Sequence, residues 1–377
     1  MAMSEAPAEP PDRCEIAVVG GGIAGLSTAL FLARAGRDVV LLDKGTPWGD
    51  SSGANAGTLS LQVKRTEMFE LGSTSIDLWA AFGTEMGIDV GFHQPGGLRV
   101  AESDEQIAFL REYGAEQEAV GFEFDWLEDN ELHDLAPWLG PEVRAATFCA
   151  ADGYASPLIA GPSLIAAARA AGVRVISNAE VTSARTAKGG YRLNIGRRSL
   201  DCKYLAIAAG GHSTRLAASL GVRLPLWVDC NMLTVTEPAP RIIDKVVTHI
   251  GGIMSLKQHV NGTVLIGGGW QGRGKFSRQT REIDPLAWVQ NVGLGARIAP
   301  ALKNLRVNRA WAGYEAVTID ALPLLGRLPG LENAYVAAGA RGGFHMGPGQ
   351  GLVLSQLILE GETALDISRF DPARFPQ

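Results

Sequence analysis

Residues 15–43, EIAVVGGGIAGLSTALFLARAGRDVVLLD, constrain this chain more than any other stretch. The apolar run at 16–19 predicts a buried strand. Gly20, Gly22 and Gly25 follow as G-x-G-x-x-G, and residues 24–35 have the pattern of a helix ended by Gly36. A second apolar run at 38–42 closes on an acid, Asp43. Strand, glycine turn, helix and acid-tipped strand form a complete βαβ dinucleotide-binding unit. Gly20 permits the tight turn, Gly22 lets a pyrophosphate approach the backbone, and Gly25 lets helix and strand pack closely. The helix start, at Ile23 and Ala24, directs free N–H groups and a positive dipole end at the phosphates. Asp43 can accept hydrogen bonds from a ribose diol and would repel a 2′-phosphate. The unit alone does not choose between FAD and NAD.

With 377 residues the chain is one large or two medium domains with room for a sizeable core. A net charge of −6 gives no electrostatic reason to expect nucleic acid or an anionic membrane as partner. Cys14, Cys149, Cys202 and Cys230 form no C-x-x-C pair, so neighbouring thiols offer neither a zinc site nor an iron–sulfur cluster, and no metal is expected. Scattered cysteines suit a reducing compartment, and a cytoplasmic location is expected. Residues 1–13 begin as an acidic Pro/Ala-rich stretch without signal-peptide features, and are expected to be a disordered tail. The longest apolar-looking stretch is the glycine-bearing nucleotide unit, so no membrane span is expected.

Lys44 opens a loop of small and polar residues at 44–57, which can lie flat against a planar ring. Helical patterns cover 66–87, 104–120 (capped by Ser103 or Asp104), 157–171 and 285–298. Strands are expected at 91–100, 145–148, 173–177, 179–187, 191–195 and 205–209, and a strand-rich stretch fills 226–266. The apolar strand before Ala209, Gly210 and Gly211 could touch a dinucleotide with its backbone. Gly342, Gly343, Phe344, His345 and Met346 lie in a Gly-rich loop, 339–351, expected to precede a final helix at 349–361. A helix start aimed at a flavin's pyrimidine edge would stabilise the reduced anion by roughly 0.3–2 kcal/mol. The fold class is therefore α/β: a discontinuous Rossmann-like nucleotide-binding domain (14–85, 145–222 and 312–377), an FAD-binding domain by the resemblance given next, with an inserted strand-rich α+β substrate domain (86–144 and 223–311).

VVGGGIAGLSTALFLARAG, SSGANAG, DGYASPL, AIAAGGHS, WAGYEAVTIDALPLLG and GFHMGPGQG, in this order and spacing, resemble the FAD-dependent D-amino-acid oxidase superfamily. Within it, the chain is most similar to the branch holding glycine oxidase, sarcosine oxidase, D-amino-acid dehydrogenases and the flavoprotein subunits of opine oxidase, hydrogen cyanide synthase and hydroxyproline dehydrogenase. The resemblance implies noncovalent FAD, oxidation of a C–N bond by hydride transfer to flavin N5, and an imine that water hydrolyses. It matches Gly20, Gly22, Gly25 and Asp43 to the ADP-binding positions, and Ser51, Ser52, Asn55, Ala56 and Gly57 to the isoalloxazine loop. Val181 matches an adenine contact, while Gly210 and 343–346 match the remaining flavin contacts.

The same resemblance implies that His345 and Gln62 orient the substrate. It also sets Lys257, with Gln258, on a strand facing the pocket. Glu315 stands where glycine oxidase-like sequences carry an arginine; it could face a cationic amine or make a salt bridge. Leu265 replaces an oxygen-activating lysine, which favours a dehydrogenase passing electrons to a separate partner chain. Gly313 occupies the position of a covalent-flavin cysteine. Trp227, Trp270, Phe276 and Tyr314 are candidate pocket walls. The expected substrate is a D-amino acid, glycine, sarcosine, proline, hydroxyproline or opine type of amine. The alternatives are an electron-relaying flavoprotein component of a larger complex and an NAD-dependent dehydrogenase.

Overall fold

The computed structural model describes residues 9–376. Its first strand, Arg13–Val19, is buried from Ile16 onward on both faces, as the unbroken apolar run requires. It pairs in parallel with Val39–Leu42 on one side and with Arg198–Ile207 on the other. The sheet runs Leu324–Arg327, Ala334–Ala338, Arg198–Ile207, Arg13–Val19, Val39–Leu42, Arg174–Ile176. Along this path only the edge strand Leu324–Arg327 is antiparallel. Strands Val181–Ala187 and Gly190–Ile195 extend it as an antiparallel hairpin. Sheet neighbours thus come from distant parts of the chain, which is the discontinuous α/β arrangement expected.

The α-helices are α1 (Ile23–Arg34), α2 (Phe69–Thr84), α3 (Asp104–Glu118), α4 (Asp129–Leu135), α5 (Pro157–Ala170), α6 (Ser213–Ser219), α7 (Pro285–Ile298) and α8 (Gly343–Leu359). α1, α2, α5 and α8 share one core with the parallel sheet, and α6 lies in the core on its other face. α1 and α8 cross closely because small residues face each other. A methyl on Gly351 would press on Ser27 and the Thr28 amide, and one on Gly347 would run into Ile23. This corrects the expected final helix: α8 begins at Gly343, and most of the Gly-rich stretch is helical. Its glycines serve close packing, which a composition of glycine and proline disguises as loop.

A second sheet runs Val307–Thr318, Leu226–Thr236, Val264–Gly268, Met254–Gln258, Val246–His249, Gly97–Ala101, Ala145–Cys149, Asp125–Glu128. One face packs Leu98, Val247, Leu256 and Ile266 against α4 and α7 through Leu132, Leu294 and Ile298. The other face turns towards the first sheet. Register places Glu315 opposite Asp229, Gly313 opposite Asn231, and Lys257 opposite Leu265, so each pair shares a side. The expected boundary at 145 falls on a strand of this second sheet, and that at 312 falls inside Val307–Thr318.

Residues 1–8 of the expected tail lie outside the described residues. The remainder is anchored: Glu9 pairs with Arg198, the Asp12 carbonyl accepts from the Asp201 amide at 2.9 Å, and Arg13 opens the first strand. The four cysteines are unbridged, and Cys149, Cys202 and Cys230 are buried. Among the described residues no helix is long and apolar enough to cross a membrane.

Candidate active site

The carboxyl ends of strands Arg13–Val19 and Arg198–Ile207 open a cleft of about 480 Å³. This is where parallel α/β sheets bind ligands, and the volume falls within the usual range of about 300–1,000 Å³. Gly20, Gly22, Ile23 and Ala24 line its floor. Gly20 has φ +111°, and a methyl there would strike the Ala208 carbonyl. One on Gly25 would strike the carbonyl of Gly20, so this glycine shapes the turn from behind without lining the cleft. At Gly22 a methyl would meet only the Ser52 hydroxyl, so the backbone is bare there. The Ser52 hydroxyl accepts from the Ile23 amide at 3.0 Å, completing the start of α1.

Asp43 lines the cleft and steadies the turn. Its two oxygens accept from the Gly21 amide at 2.7 Å and the Gly45 amide at 2.8 Å. Lys44, Val181, Ala209, Gly210 and Gly211 line the same outer half. Lys44 Nζ lies 2.7 Å from His212 Nε2 and 3.4 Å from an Asp50 oxygen. A short hairpin, Arg273–Lys275 and Thr280–Glu282, reaches across from the second sheet. Its Phe276 packs on His212 and Tyr314, and its Arg281 pairs with Asp50 at 3.0 Å. Phe276 and Arg281 line the cleft, so the hairpin roofs the outer half. The hairpin does not stand out in the sequence. Of the other candidate walls, Tyr314 lines the cleft, while Trp227 and Trp270 do not.

The inner half is lined by Ser51, Ser52, Asn55 and Ala56, by Gly343 and Phe344 at the start of α8, and by the face of the second sheet. Gly57 lies just outside it at φ +75°, its amide donating to Asn55 Oδ1 at 2.8 Å. Glu315 lines this half. It accepts from the Gly342 amide at 2.9 Å and from Asn231 Nδ2 at 2.8 Å, with Arg341 3.5 Å away. Arg341 also pairs with Asp229 at 2.5 Å. Like charges directly opposite on paired strands repel; here one guanidinium spans both acids.

His345, Met346, Gln62, Lys257 and Gly342 do not line the cleft. His345 is fully buried and its Nε2–H donates to the Gly72 carbonyl at 2.9 Å. Burial, followed by the nearby Lys64 charge, pushes its pKa down to about 3. Gln62 is spent on an interior network: its Nε2 donates to Gly97 and Asp152 at 3.0 Å, and its Oε1 accepts from Thr147 at 2.6 Å. Burial holds the Asp152 carboxyl above its ordinary range. Lys257 Nζ donates to Thr58 Oγ1 at 2.7 Å, directly after the 51–57 loop, and burial lowers its pKa to about 7.

Sequence reasoning missed Lys64. It follows Thr58, Ser60 and Gln62 at strict spacing of two, a pattern that ordinarily marks a solvated strand face. Here there is no strand face: only Thr58–Leu59 is strand, 61–64 is a turn closed by the Lys64 amide on the Leu61 carbonyl, and Ser60, Gln62 and Lys64 are all buried. Alternation alone could not tell a wet face from a wet interior. The signal was the lysine's place at the end of an otherwise uncharged row.

A long cleft with a bare glycine turn, an acid at the strand end and two helix starts fits a dinucleotide. The comparisons agree. The family model described as DAO, FAD dependent oxidoreductase, matches residues 15–357. The chain is 28% identical to the beta chain of the sarcosine oxidase of Rhodobacter capsulatus over 387 residues, covering 97% of this chain and 91% of that one. It is 27% identical to one of the subunits of opine oxidase from Rhizobium meliloti, covering 96% and 97%. The crystal structure of glycine oxidase from Geobacillus kaustophilus superposes with a TM-score of 0.90 at 26% identity, covering 97% of this chain and 100% of that chain. The match spans both sheets and both helix starts, and the chain belongs to the DAO family of FAD-dependent oxidoreductases, with FAD as its cofactor.

Proposed function

We propose that the protein oxidises the carbon–nitrogen bond of an amino acid or secondary amine, giving an imine that water hydrolyses. FAD, when bound, supplies the hydride acceptor. The observation that carries this reading is the chemistry of the inner half of the cleft, where Leu233, Gly268 and Gly313 line the wall beside one charged side chain, Glu315. Hydride transfer from a neutral amine needs position and exclusion of water more than acid–base groups. Gly20, Gly22, Asp43 and Ser52 would hold the noncovalent dinucleotide, and the 51–57 loop would lie along its ring. Glu315, fixed by Asn231 and Gly342, would face the substrate amine. This gives Glu315 the orienting role expected of His345 and Gln62, whose side chains are committed elsewhere. The relatives named as sarcosine, opine and glycine oxidases support an amine or amino-acid substrate.

The test is the visible spectrum of the purified protein, followed anaerobically with glycine, sarcosine, D-amino acids, proline, hydroxyproline and opines. Bleaching by one class is expected. Bound flavin that no amine bleaches, while dithionite does, would overturn the reading.

A second reading, that electrons leave through a separate partner chain, draws on the two relatives named as subunits and on Leu265, an apolar residue on the sheet face that carries Lys257. Full turnover of the lone chain in air, with no gain from an artificial electron acceptor, would refute it. FAD as cofactor leaves the nicotinamide alternative without support.

A further inference from the structure

Lys64 is 6% exposed, yet among the described residues its ammonium makes neither a hydrogen bond nor an ion pair. Glu315 and Asp152 are its nearest acids by electrostatic effect, but each carboxylate is occupied by other donors. A buried charge without a partner is costly and persists where a partner is to arrive. The backbone around it is held firmly. The Lys64 amide donates to the Leu61 carbonyl at 2.8 Å, and its carbonyl accepts from the Tyr113 hydroxyl at 2.6 Å.

The ammonium lies at the start of α8. A methyl on Gly342 would overlap Lys64 Nζ, so only glycine lets the charge approach the cap of this 17-residue helix. Gly342 has φ +74°, and among the described residues the amides of Phe344 and His345 meet no acceptor. Gly343 and Phe344 line the cleft. Lys64 itself stands behind that lining, against Gly342, so two positive features, one a helix terminus and one a side chain, lie together at the back of its inner end.

We propose that Lys64 and the first turn of α8 form one cationic subsite for the negative charge that FAD acquires on reduction, so that Lys64 sets the cofactor's reduction potential. Accepting a hydride brings the ring two electrons and one proton, hence one net negative charge. A group that meets this charge favours the reduced form over the neutral oxidised one. The inference rests on the flavin lying with its pyrimidine edge at α8.

The experiment uses the flavin-loaded protein and reduction by a dye couple, so it does not depend on any amine being a substrate. Lys64→Met should disfavour the reduced form about tenfold, a fall of about 30 mV for a two-electron couple. It should also weaken sulfite binding to the flavin to a similar degree. Lys64→Arg should stay near the parent protein. If Lys64→Met does not fold, Glu315→Gln serves, because removing the opposing charge should raise the potential. An unchanged potential in the variant would overturn the proposal. So would a weakened affinity for acetate or benzoate with an unchanged potential, since the ammonium would then serve a ligand's carboxylate.

Discussion

Gln62 shows how a residue of the expected chemical type can hold a different position. Its amide joins Gly97 and Thr147, on neighbouring strands of the second sheet, to Asp152 in the turn that follows. Gln62→Ala would take one donor from the buried Asp152 carboxylate, which keeps Ser60 and the Leu61 amide, and would leave the buried Thr147 hydroxyl without its acceptor, so it is expected to cost about 1–3 kcal/mol in denaturant unfolding. The KM of the flavin-loaded enzyme for its amine should change little. Lys257 gives a pH signature. No acid offsets its burial, so its folded pKa is about 7 against an ordinary 10.5. Between those values the unfolded chain binds more protons, and stability rises with pH. Lys257→Met should remove up to about 1.4 kcal/mol per pH unit from that rise, measured by thermal or urea unfolding from pH 7 to 9. The glycines of the first turn were legible because their spacing has one geometric meaning. Gln62, Lys64 and Lys257 were not, because a polar residue in a turn or a strand reads the same whether it faces water or a second sheet.

At the level of elements, most strands and helices followed from apolar runs and periodicity. Ser103 caps α3, accepting from Gln106, and α7 spans the expected residues. α8 was misread at its start, since Gly347, Gly349 and Gly351 mark a close helix crossing that composition alone renders as loop. Gly351→Ala is expected to cost about 1–3 kcal/mol by overpacking against α1, and calorimetry would measure it. The hairpin over the outer half escaped notice because its strands are exposed, polar and three residues long. It should govern flavin release. Arg281→Ala loses a partly exposed ion pair worth about 0.2–1 kcal/mol, so release should quicken by no more than about fivefold. That difference should shrink in high salt. Phe276→Ala, which removes two ring contacts, should quicken release by about tenfold. Flavin fluorescence on dilution reads both.

On the scale of the molecule, both sheets were foreseen, but the chain's passage between them was not, because strands such as Val307–Thr318 carry no mark of the sheet they join. The cleft proposed for FAD touches both sheets, so bound FAD would tie them together. Flavin at a thousand times its Kd should add about 4 kcal/mol to stability, visible as a rise in melting temperature over the stripped protein. Within the first sheet, Arg13–Val19 and α1 are completed by Arg198–Ile207, Ala334–Ala338 and α8. During synthesis, then, the glycine turn leaves the ribosome long before the segments that seal it. Val39–Leu42 and α5 can cover part of its apolar strand and helix early, but the face of α1 that meets α8 must wait while nearly all of the described chain is made. A nascent chain stalled ahead of α8 would carry the nucleotide motif intact and still be unable to keep a flavin, which makes cofactor loading one of the last events in the birth of this protein.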